Sequence, residues 1–184
     1  RQEKEILHTD LFFLPGPSNT RQVILLSVGQ RYRLVIVSKL QDKSKESIKS
    51  GWEEHLSLYL LNGIRVTSIY CDNEANLSAS ATYLRSRGVD LIQRPSAAHE
   101  PVCERRVRVI KERMRSIMSD LLYDLPRRLY WYCLLWAVQG INSFPDTLDD
   151  PEDIRSAREK VFGKKLDIAR ATKFAFGDFT TYHI

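Results

Sequence analysis

The order of apolar runs in this chain predicts an α/β fold on a mixed sheet of five strands, three antiparallel strands followed by parallel ones. Three short β-rich runs follow one another within residues 5–39, and two later runs alternate with segments of helical periodicity. The chain has 184 residues, of which 43% are hydrophobic, which is enough to bury one core. We therefore expect one main domain.

The first three strands are predicted from runs that end at turn residues. Asp10 interrupts the first run, and aspartate is a poor strand residue, so it either faces solvent or has a function. Only Gly29-Gln-Arg31 separates the second and third runs, which is short enough for a hairpin. The three predicted strands are Ile6–Leu14, Val23–Val28 and Tyr32–Val37.

The next stretch alternates helices and strands. A helix is predicted from Asp42 to Asn62-Gly63, with a buried stripe of Ile48, Trp52, Leu56, Tyr59 and Leu60. The strand Val66–Cys71 follows and has Asp72 at its carboxyl end. One helix is then expected from Asn73 to Arg87, ended by Gly88, and Val89–Gln93 is the fifth strand.

A third long helix is predicted to begin at about Pro101, which suits a first helical turn. Its core seam consists of Val107, Ile110, Met114, Ile117 and Leu121. At about 100° per residue, Arg108, Lys111 and Arg115 lie within roughly 40° of Glu104, whereas Arg105, Glu112 and Arg113 point away from the core. The basic run is either a solvated surface or a binding stripe.

The remaining chain is predicted to form one more long helix and an extension. The helix covers Arg127 to Asn142, and its segment Leu129–Val138 is apolar almost all round. Core burial is the simpler interpretation; the alternative is a subunit contact through Trp131 and Trp136. A short helix at Pro151–Phe162 and an extended segment over 173–182 follow. We divide the chain into a core, residues 1–145, and a C-terminal extension, residues 146–184.

Charge and cysteine content exclude several classes of protein. The formal net charge is +5, and the window Arg105–Arg115 alone carries six basic residues and one acid, which favours a polyanion partner. The single cysteines Cys71, Cys103 and Cys133 indicate free thiols in a reducing compartment and argue against a zinc site. The longest apolar run is too short to span a bilayer, so no membrane partner is expected.

Three acids stand where strand ends and a helix start would meet. If the first and fourth strands pair side by side, Asp10 and Asp72 lie opposite each other, and Glu104 closes the cluster. Three carboxylates in one pocket repel each other unless a cation lies between them, and oxygen ligands without Cys or His indicate Mg²⁺ or Mn²⁺. Taken singly, Asp72 is equally explained as a helix cap and Glu104 as a helix N-terminal charge.

At these residues the chain resembles the DDE integrases, which have a ribonuclease H-like core, and most closely the integrases of copia-type retrotransposons. Several segments carry the resemblance: His8-Thr-Asp10-Leu, Tyr70-Cys-Asp72-Asn73, Glu100-Pro-Val-Cys-Glu104-Arg105, Gly140-Ile-Asn142-Ser-Phe-Pro145 and Val161-Phe-Gly-Lys-Lys-Leu-Asp167. Glu74 and Glu100-Pro101 stand where the family has flexible glycine and asparagine-glycine. These departures affect DNA handling more than metal binding.

The resemblance implies a function for each of these residues. Asp10, Asp72 and Glu104 would be the catalytic triad of a two-metal Mg²⁺ or Mn²⁺ site, and a DNA 3′-hydroxyl would attack target DNA. DNA would be bound by Asn73, Arg105, Arg108, Lys111 and Arg115.

The resemblance also implies partners and a cellular place. The expected partners are element-end and target DNA, a second copy of the chain and a host tethering protein. The expected location is the nucleus or a cytoplasmic retroelement particle. A domesticated, inactive module that binds DNA or a host protein, and a hydrolytic nuclease, are the alternatives.

Overall fold

The sheet has the predicted five strands in the order β3-β2-β1-β4-β5. The computed structural model describes residues 3–73, 75–94, 101–145, 153–171, 173 and 175–178. Strand β1 pairs antiparallel with β2, and β2 with β3, while β1–β4 and β4–β5 are parallel. The predicted change from antiparallel to parallel strands is therefore confirmed. The strands are β1 Glu3–Pro15, β2 Arg21–Gly29, β3 Val35–Leu40, β4 Ile64–Asp72 and β5 Asp90–Arg94.

Helices cover both faces of this sheet. The long ones are α1, α4 and α5, and α4 packs on α5 and on the first two strands. The helices of the described residues are α1 Lys45–Leu61, α2 Ala75–Ser78, α3 Ala81–Ser86, α4 Pro101–Ser119, α5 Tyr130–Ser143, α6 Ala157–Phe162 and α7 Ile168–Ala171. Single 3₁₀ turns lie at Pro17–Asn19 and Arg127–Leu129.

Side-chain alternation along β1 divides the core into two layers. Leu7 and Leu11 pack with α1 in one cluster, whereas Phe12 and Leu14 pack with α4 and α5 in the other. Successive strand residues point to opposite faces, so Asp10 shares the face of Phe12 and α4. We call these the α1 face and the α4 face of the sheet.

Helix α1 begins at Lys45, three residues after the predicted start at Asp42, and ends before the predicted stop at Asn62-Gly63. The Ser44 side chain accepts a hydrogen bond from the Ser47 N–H, and Gly63, with φ of 75°, follows the helix end. Four of the five predicted stripe residues are buried. Leu60 is the exception, at 59% exposure, because the helical phase turns it away from the sheet.

The hairpin between β2 and β3 is longer than the predicted three-residue link. Strand β3 begins at Val35, because the buried Glu5 carboxylate accepts hydrogen bonds from the N–H groups of Arg31 and Tyr32, both at 2.9 Å. Those donors are consequently lost to the sheet ladder. Arg33 adopts a positive φ of 59° within the loop.

Three other predictions of helix and strand are wrong in detail. The single helix expected over 73–87 is two helices, since the Ser80 N–H bonds to the Leu77 carbonyl in a tight turn between them. Helix α6 begins only after Ser156, which caps it through the Glu159 N–H. The described part of the final segment contains a turn, in which Asp178 caps the Ala175 N–H, rather than extended chain. The rest of that segment lies outside the described residues.

The last long helix was predicted as one element, with core burial as the simpler interpretation and a subunit contact as the alternative. Instead a 3₁₀ turn precedes α5, and one side of α5 is exposed while Cys133, Leu134, Ala137 and Val138 are buried. Among the described residues, none of the helices combines the length and the apolar character that a bilayer span requires.

Candidate active site

Asp10 and Asp72 lie on neighbouring strands at the same level of the sheet. The parallel register pairs Thr9 with Cys71, so the next step along both strands brings Asp10 beside Asp72. Both side chains are half-buried, and both belong to the α4 face by alternation. One oxygen of Asp10 accepts the Leu11 N–H at 2.7 Å. The predicted pairing of the two strands that carry these acids is confirmed.

Two aromatic rings and a guanidinium group lie on the same face of the sheet, close to this acid pair. The rings of His8 and Tyr70 stack with centroids 5.5 Å apart, and the Arg94 guanidinium lies 5.8 Å from the Tyr70 ring centroid. Arg94 is also the register partner of Asp72 on β5. The acid pair therefore has cationic and aromatic neighbours. None of these three residues has a role predicted from the sequence, although the two-residue spacing of His8 from Asp10 and of Tyr70 from Asp72 was a usable signal.

Glu104 lies in the first turn of α4 and is exposed. The helix begins at Pro101, as predicted, and packs on β1 and β2 from the same face as the acid pair. Within the described residues, however, no group of three or more His, Cys, Asp or Glu side chains is arranged to hold a metal ion. The joining of Glu104 to the other two acids stays a prediction, and residues 95–100, which include Glu100, lie outside the described part.

The carboxylate oxygens of Asp10 and Asp72 are of the type that suits the implied cation, Mg²⁺ or Mn²⁺. Asp10 and Asp72 supply hard oxygen atoms side by side, the ligand type that Mg²⁺ and Mn²⁺ prefer. Cys71, the neighbour of Asp72, is fully buried and belongs to the α1 face, so its thiol points away from the acid pair. The pair fits a hard divalent cation in chemistry, and a third carboxylate would complete it.

The basic residues of α4 lie on different sides of the helix, as the rotation of about 100° per residue requires. Arg108 and Arg115 are exposed, and Lys111 is half-buried with its Nζ 6.0 Å from the centroid of the Phe12 ring. Phe12 lies on the α4 face two residues beyond Asp10, so Lys111 places positive charge close to the acid strand. Arg105 is exposed elsewhere on the helix, and Asn73 is exposed directly after Asp72.

Behind β1, the α1 face holds a chain of buried polar groups. Ser38 donates to Glu54, so Ser38 Oγ accepts from His55 Nε2 at 3.0 Å. His55 Nδ1 then accepts from Ser27 at 2.7 Å, and Thr9 donates to Ser27 at 3.0 Å. Burial lowers the pKa of His55 to about 3, so the ring is neutral, consistent with these roles. The sequence pattern gives no signal for this chain of groups, which holds Thr9, the residue next to Asp10.

Comparison with known proteins was made by sequence and by structure. No protein-family model and no curated protein sequence matches the chain. By structure it is similar to a chain of the simian T-cell lymphotropic virus intasome solved in complex with PP2A regulatory subunit B56 gamma. The TM-score is 0.69 at 15% identity, covering 85% of this chain and 54% of that one.

Two isolated catalytic cores are also similar. The HTLV-2 integrase catalytic core domain in complex with magnesium, in its trimeric form, has a TM-score of 0.65 at 15% identity, over 86% of this chain and 97% of that one. The BIV integrase catalytic core has a TM-score of 0.61 at 14% identity, over 91% and 97%. The chain thus spans about half of the simian virus chain and nearly all of both cores. The likeness confirms the ribonuclease H-like fold of integrase catalytic cores.

Proposed function

We propose that this chain is the catalytic core of a divalent-metal-dependent polynucleotidyl transferase, an integrase that joins a DNA 3′-hydroxyl to target DNA. The observation that carries the proposal is the placement of Asp10 beside Asp72 on parallel strands of an integrase-type sheet. The magnesium in the similar HTLV-2 core supports a divalent cation as the cofactor.

Each residue of the site has a distinct part in this proposal. Asp10 and Asp72 would hold Mg²⁺ or Mn²⁺ in a two-metal site, with Glu104 as the further ligand. Such ions, when bound, supply an activated hydroxyl and neutralise charge at the phosphate. The positive side chains of Arg108, Lys111 and Arg115 would bind the DNA backbone on the helix side that carries Glu104.

Asn73 and Arg105 complete the proposed DNA contacts. Asn73 follows Asp72 and exposes an amide that can donate to a phosphate oxygen. Arg105 follows Glu104 at the start of α4. Its planar guanidinium suits phosphate, although the helical phase turns it away from the acid pair.

The wider setting is proposed from the sequence motifs and the similar assemblies. We assign the chain to a copia-type retroelement, acting in the nucleus or in a cytoplasmic particle, with residues 1–145 as core and 146–184 as extension. The similar integrase cores include dimeric and trimeric forms, and the simian chain was solved with a PP2A regulatory subunit. These assemblies support self-association and a host protein partner.

The test is strand transfer with a labelled donor strand in Mg²⁺ or Mn²⁺. We expect Asp72→Asn and Glu104→Gln to reduce product at least 100-fold, whereas Asp90→Asn, an exposed acid at the start of β5, should retain activity. Wild-type activity in Asp72→Asn would contradict the assignment. The same gel separates joined product from simple cleavage and so distinguishes an integrase from a hydrolytic nuclease.

A second candidate is an inactive, domesticated module that binds DNA or a host protein. It is favoured by Arg94, the register partner of Asp72, which can compensate the Asp72 charge without a metal. It is also favoured by the lack of a three-acid group among the described residues. Wild-type protein that binds DNA in EDTA yet shows no metal-dependent turnover would support this candidate over the first.

A further inference from the structure

A basic groove lies on α4 away from the acid pair. It consists of two adjoining cavities of about 480 and 410 Å³, which share Arg33, Arg106, Ile141 and Phe144. The groove lies between the outer side of α4, the end of α5 and the β2–β3 loop. Its larger cavity is also lined by Arg105 and Arg113, which the sequence pattern assigned to solvent.

Positive charge in this groove is concentrated at the larger cavity. Of the residues that the structure describes, four arginines line it and no acid does. In the smaller cavity, Asp153 bonds to Arg155 at 2.9 Å and to Lys160 at 3.1 Å, and Glu3 pairs with Arg31 at 3.6 Å. Arg105 and Arg113 form no ion pair with any residue in the described part of the chain. Among the described residues, Arg105 and Arg113 therefore make the larger cavity the more strongly positive half.

The helical phase separates this groove from the Glu104 stripe. Counted from Glu104 at about 100° per residue, Arg105 and Arg106 lie at about 100° and 200°, and Arg113 at about 180°. The stripe of Arg108, Lys111 and Arg115 lies within about 40° of Glu104. A ligand held in the groove thus contacts a different side of α4 from a ligand held at the acids.

The floor of the groove is apolar and includes an exposed aromatic ring. Val102 and Val109 of α4 line the larger cavity together with Ile141 and Phe144, and Phe144 is 54% exposed. Arg113 reaches across to α5, where its guanidinium would lie 3.5 Å from a Cβ at Gly140. Arginine walls beside an accessible aromatic ring offer phosphate contacts and base stacking within one cavity.

We propose that this groove binds a single strand of nucleic acid, with Arg105 and Arg113 on phosphates and a base stacked on Phe144. A concave cavity suits a flexible strand better than the convex backbone of a duplex. An acidic peptide would satisfy the arginines but would not require the aromatic ring. The inference moves Arg105 from the proposed DNA contacts beside the acids to a separate site, and it requires neither a bound metal nor catalysis, so it goes beyond the proposed function.

The experiment measures binding of a fluorescent oligothymidylate of about 12 nucleotides by anisotropy, in EDTA, across a series of salt concentrations. Arg105→Glu/Arg113→Glu should weaken binding at least tenfold and reduce the salt slope by about 1.4, or about 0.7 per lost phosphate contact. Phe144→Ala should weaken it about fivefold or more, since stacking on one base contributes that much.

A matched control reverses two exposed arginines elsewhere. Arg85→Glu/Arg128→Glu makes the same change in net charge outside the groove and should stay within about twofold of wild type. Arg108→Glu/Arg115→Glu reports the stripe beside Glu104 separately. Circular dichroism and thermal unfolding should show that all variants are folded.

Two results would overturn the proposal. Equal losses in the groove variant and the matched control would mean that net charge alone drives binding. Polyglutamate bound as tightly as the oligonucleotide, with no effect of Phe144→Ala on either ligand, would assign the groove to an acidic protein segment. Loss of strand transfer in Asp72→Asn with unchanged oligothymidylate binding would leave both proposals standing and show that they are independent.

Discussion

The two faces of the sheet differ in how their polar side chains are paired. On the α1 face, Thr9, Ser27, His55 and Ser38 are buried, and each is hydrogen-bonded to the next until the chain ends at Glu54. On the α4 face, Asp10 and Asp72 are side by side and half-buried, where like charges on neighbouring strands destabilise the sheet. The hydrogen-bonded chain supports the fold on one face, and the other face holds the two candidate metal ligands at some cost to stability.

Adjacent residues of one strand therefore serve different purposes. Thr9 points to the α1 face and Asp10 to the α4 face, so the satisfied network holds the strand whose next residue is the candidate ligand. Rigid support beneath an acid pair keeps the pair in place despite its repulsion.

The largest expected effect is loss of stability on the α1 face. Trp52 is fully buried against the sheet, and Trp52→Ala should cost about 3–5 kcal/mol in the free energy of unfolding, because it leaves a cavity. Urea unfolding measures this. Leu61→Ala, at 86% exposure on the same helix, should change stability by less than about 0.5 kcal/mol.

The second prediction concerns acid unfolding and His55. The pKa of this buried ring is lowered to about 3 from its ordinary 6.5, so between these values the unfolded chain binds a proton that the folded chain does not. Stability should therefore fall as the pH falls below 6.5, by about 1.4 kcal/mol per unit from this residue. Urea unfolding at pH 6.5, 5.5 and 4.5 measures the slope.

A variant isolates the contribution of His55. His55→Gln should remove that slope. Burial raises the pKa of Glu5 above its ordinary 4.5, so above that pH the folded chain holds a proton that the unfolded chain has lost. The contribution of Glu5 to stability therefore falls as the pH rises above 4.5, the opposite of the effect of His55. Glu5 is present in both proteins, so its contribution cancels when the pH slope of the variant's unfolding free energy is subtracted from that of the wild type. Equal slopes in the two proteins would contradict the assignment.

On the α4 face we expect a cation to restore stability. At Mn²⁺ concentrations about 100 times Kd, the wild-type protein should gain about 2.7 kcal/mol through binding to the folded state only. Asp10→Asn should lose most of this gain, whereas Asp120→Asn, an exposed acid after α4, should keep it. Thermal unfolding with Mn²⁺ and with EDTA provides the measurement. An equal gain in Asp10→Asn would show that the cation binds elsewhere.

The smallest expected effect on stability lies on the exposed side of α5. Tyr132, Leu135 and Trp136 are exposed, and Trp131 is half-buried on the same helix. Trp136→Lys should cost less than about 1 kcal/mol, although it removes the contact with Phe176, whose ring centroid is 6.1 Å away. It should nevertheless weaken self-association at least tenfold, because exposed aromatic side chains dominate such interfaces.

Sedimentation at several protein concentrations tests this surface. The control is Leu122→Lys, a fully exposed residue outside α5, which should associate like the wild type. A wild-type monomer at high concentration would contradict a contact through α5.

Local patterns predicted most of the fold because they depend on neighbouring residues. The helix stops at Asn62-Gly63 and at Gly88 were both readable, and both are present. The break between α2 and α3 was not readable, since its residues suit either a helix or a turn. Likewise, the late start of β3 depends on Glu5, which is 26 residues away from Arg31 in the chain.

For the candidate site, the sequence by itself determined which acids could matter and that Asp72 ends a strand. Only the tertiary structure decided that Asp10 and Asp72 are register neighbours, since pairing of β1 with β4 joins segments about 60 residues apart. It also placed Arg94 beside Asp72 and gathered Arg33, Arg105 and Arg113 around one groove. The physical reason is that helical phase determines the direction of a side chain, whereas packing between distant segments determines what that side chain meets.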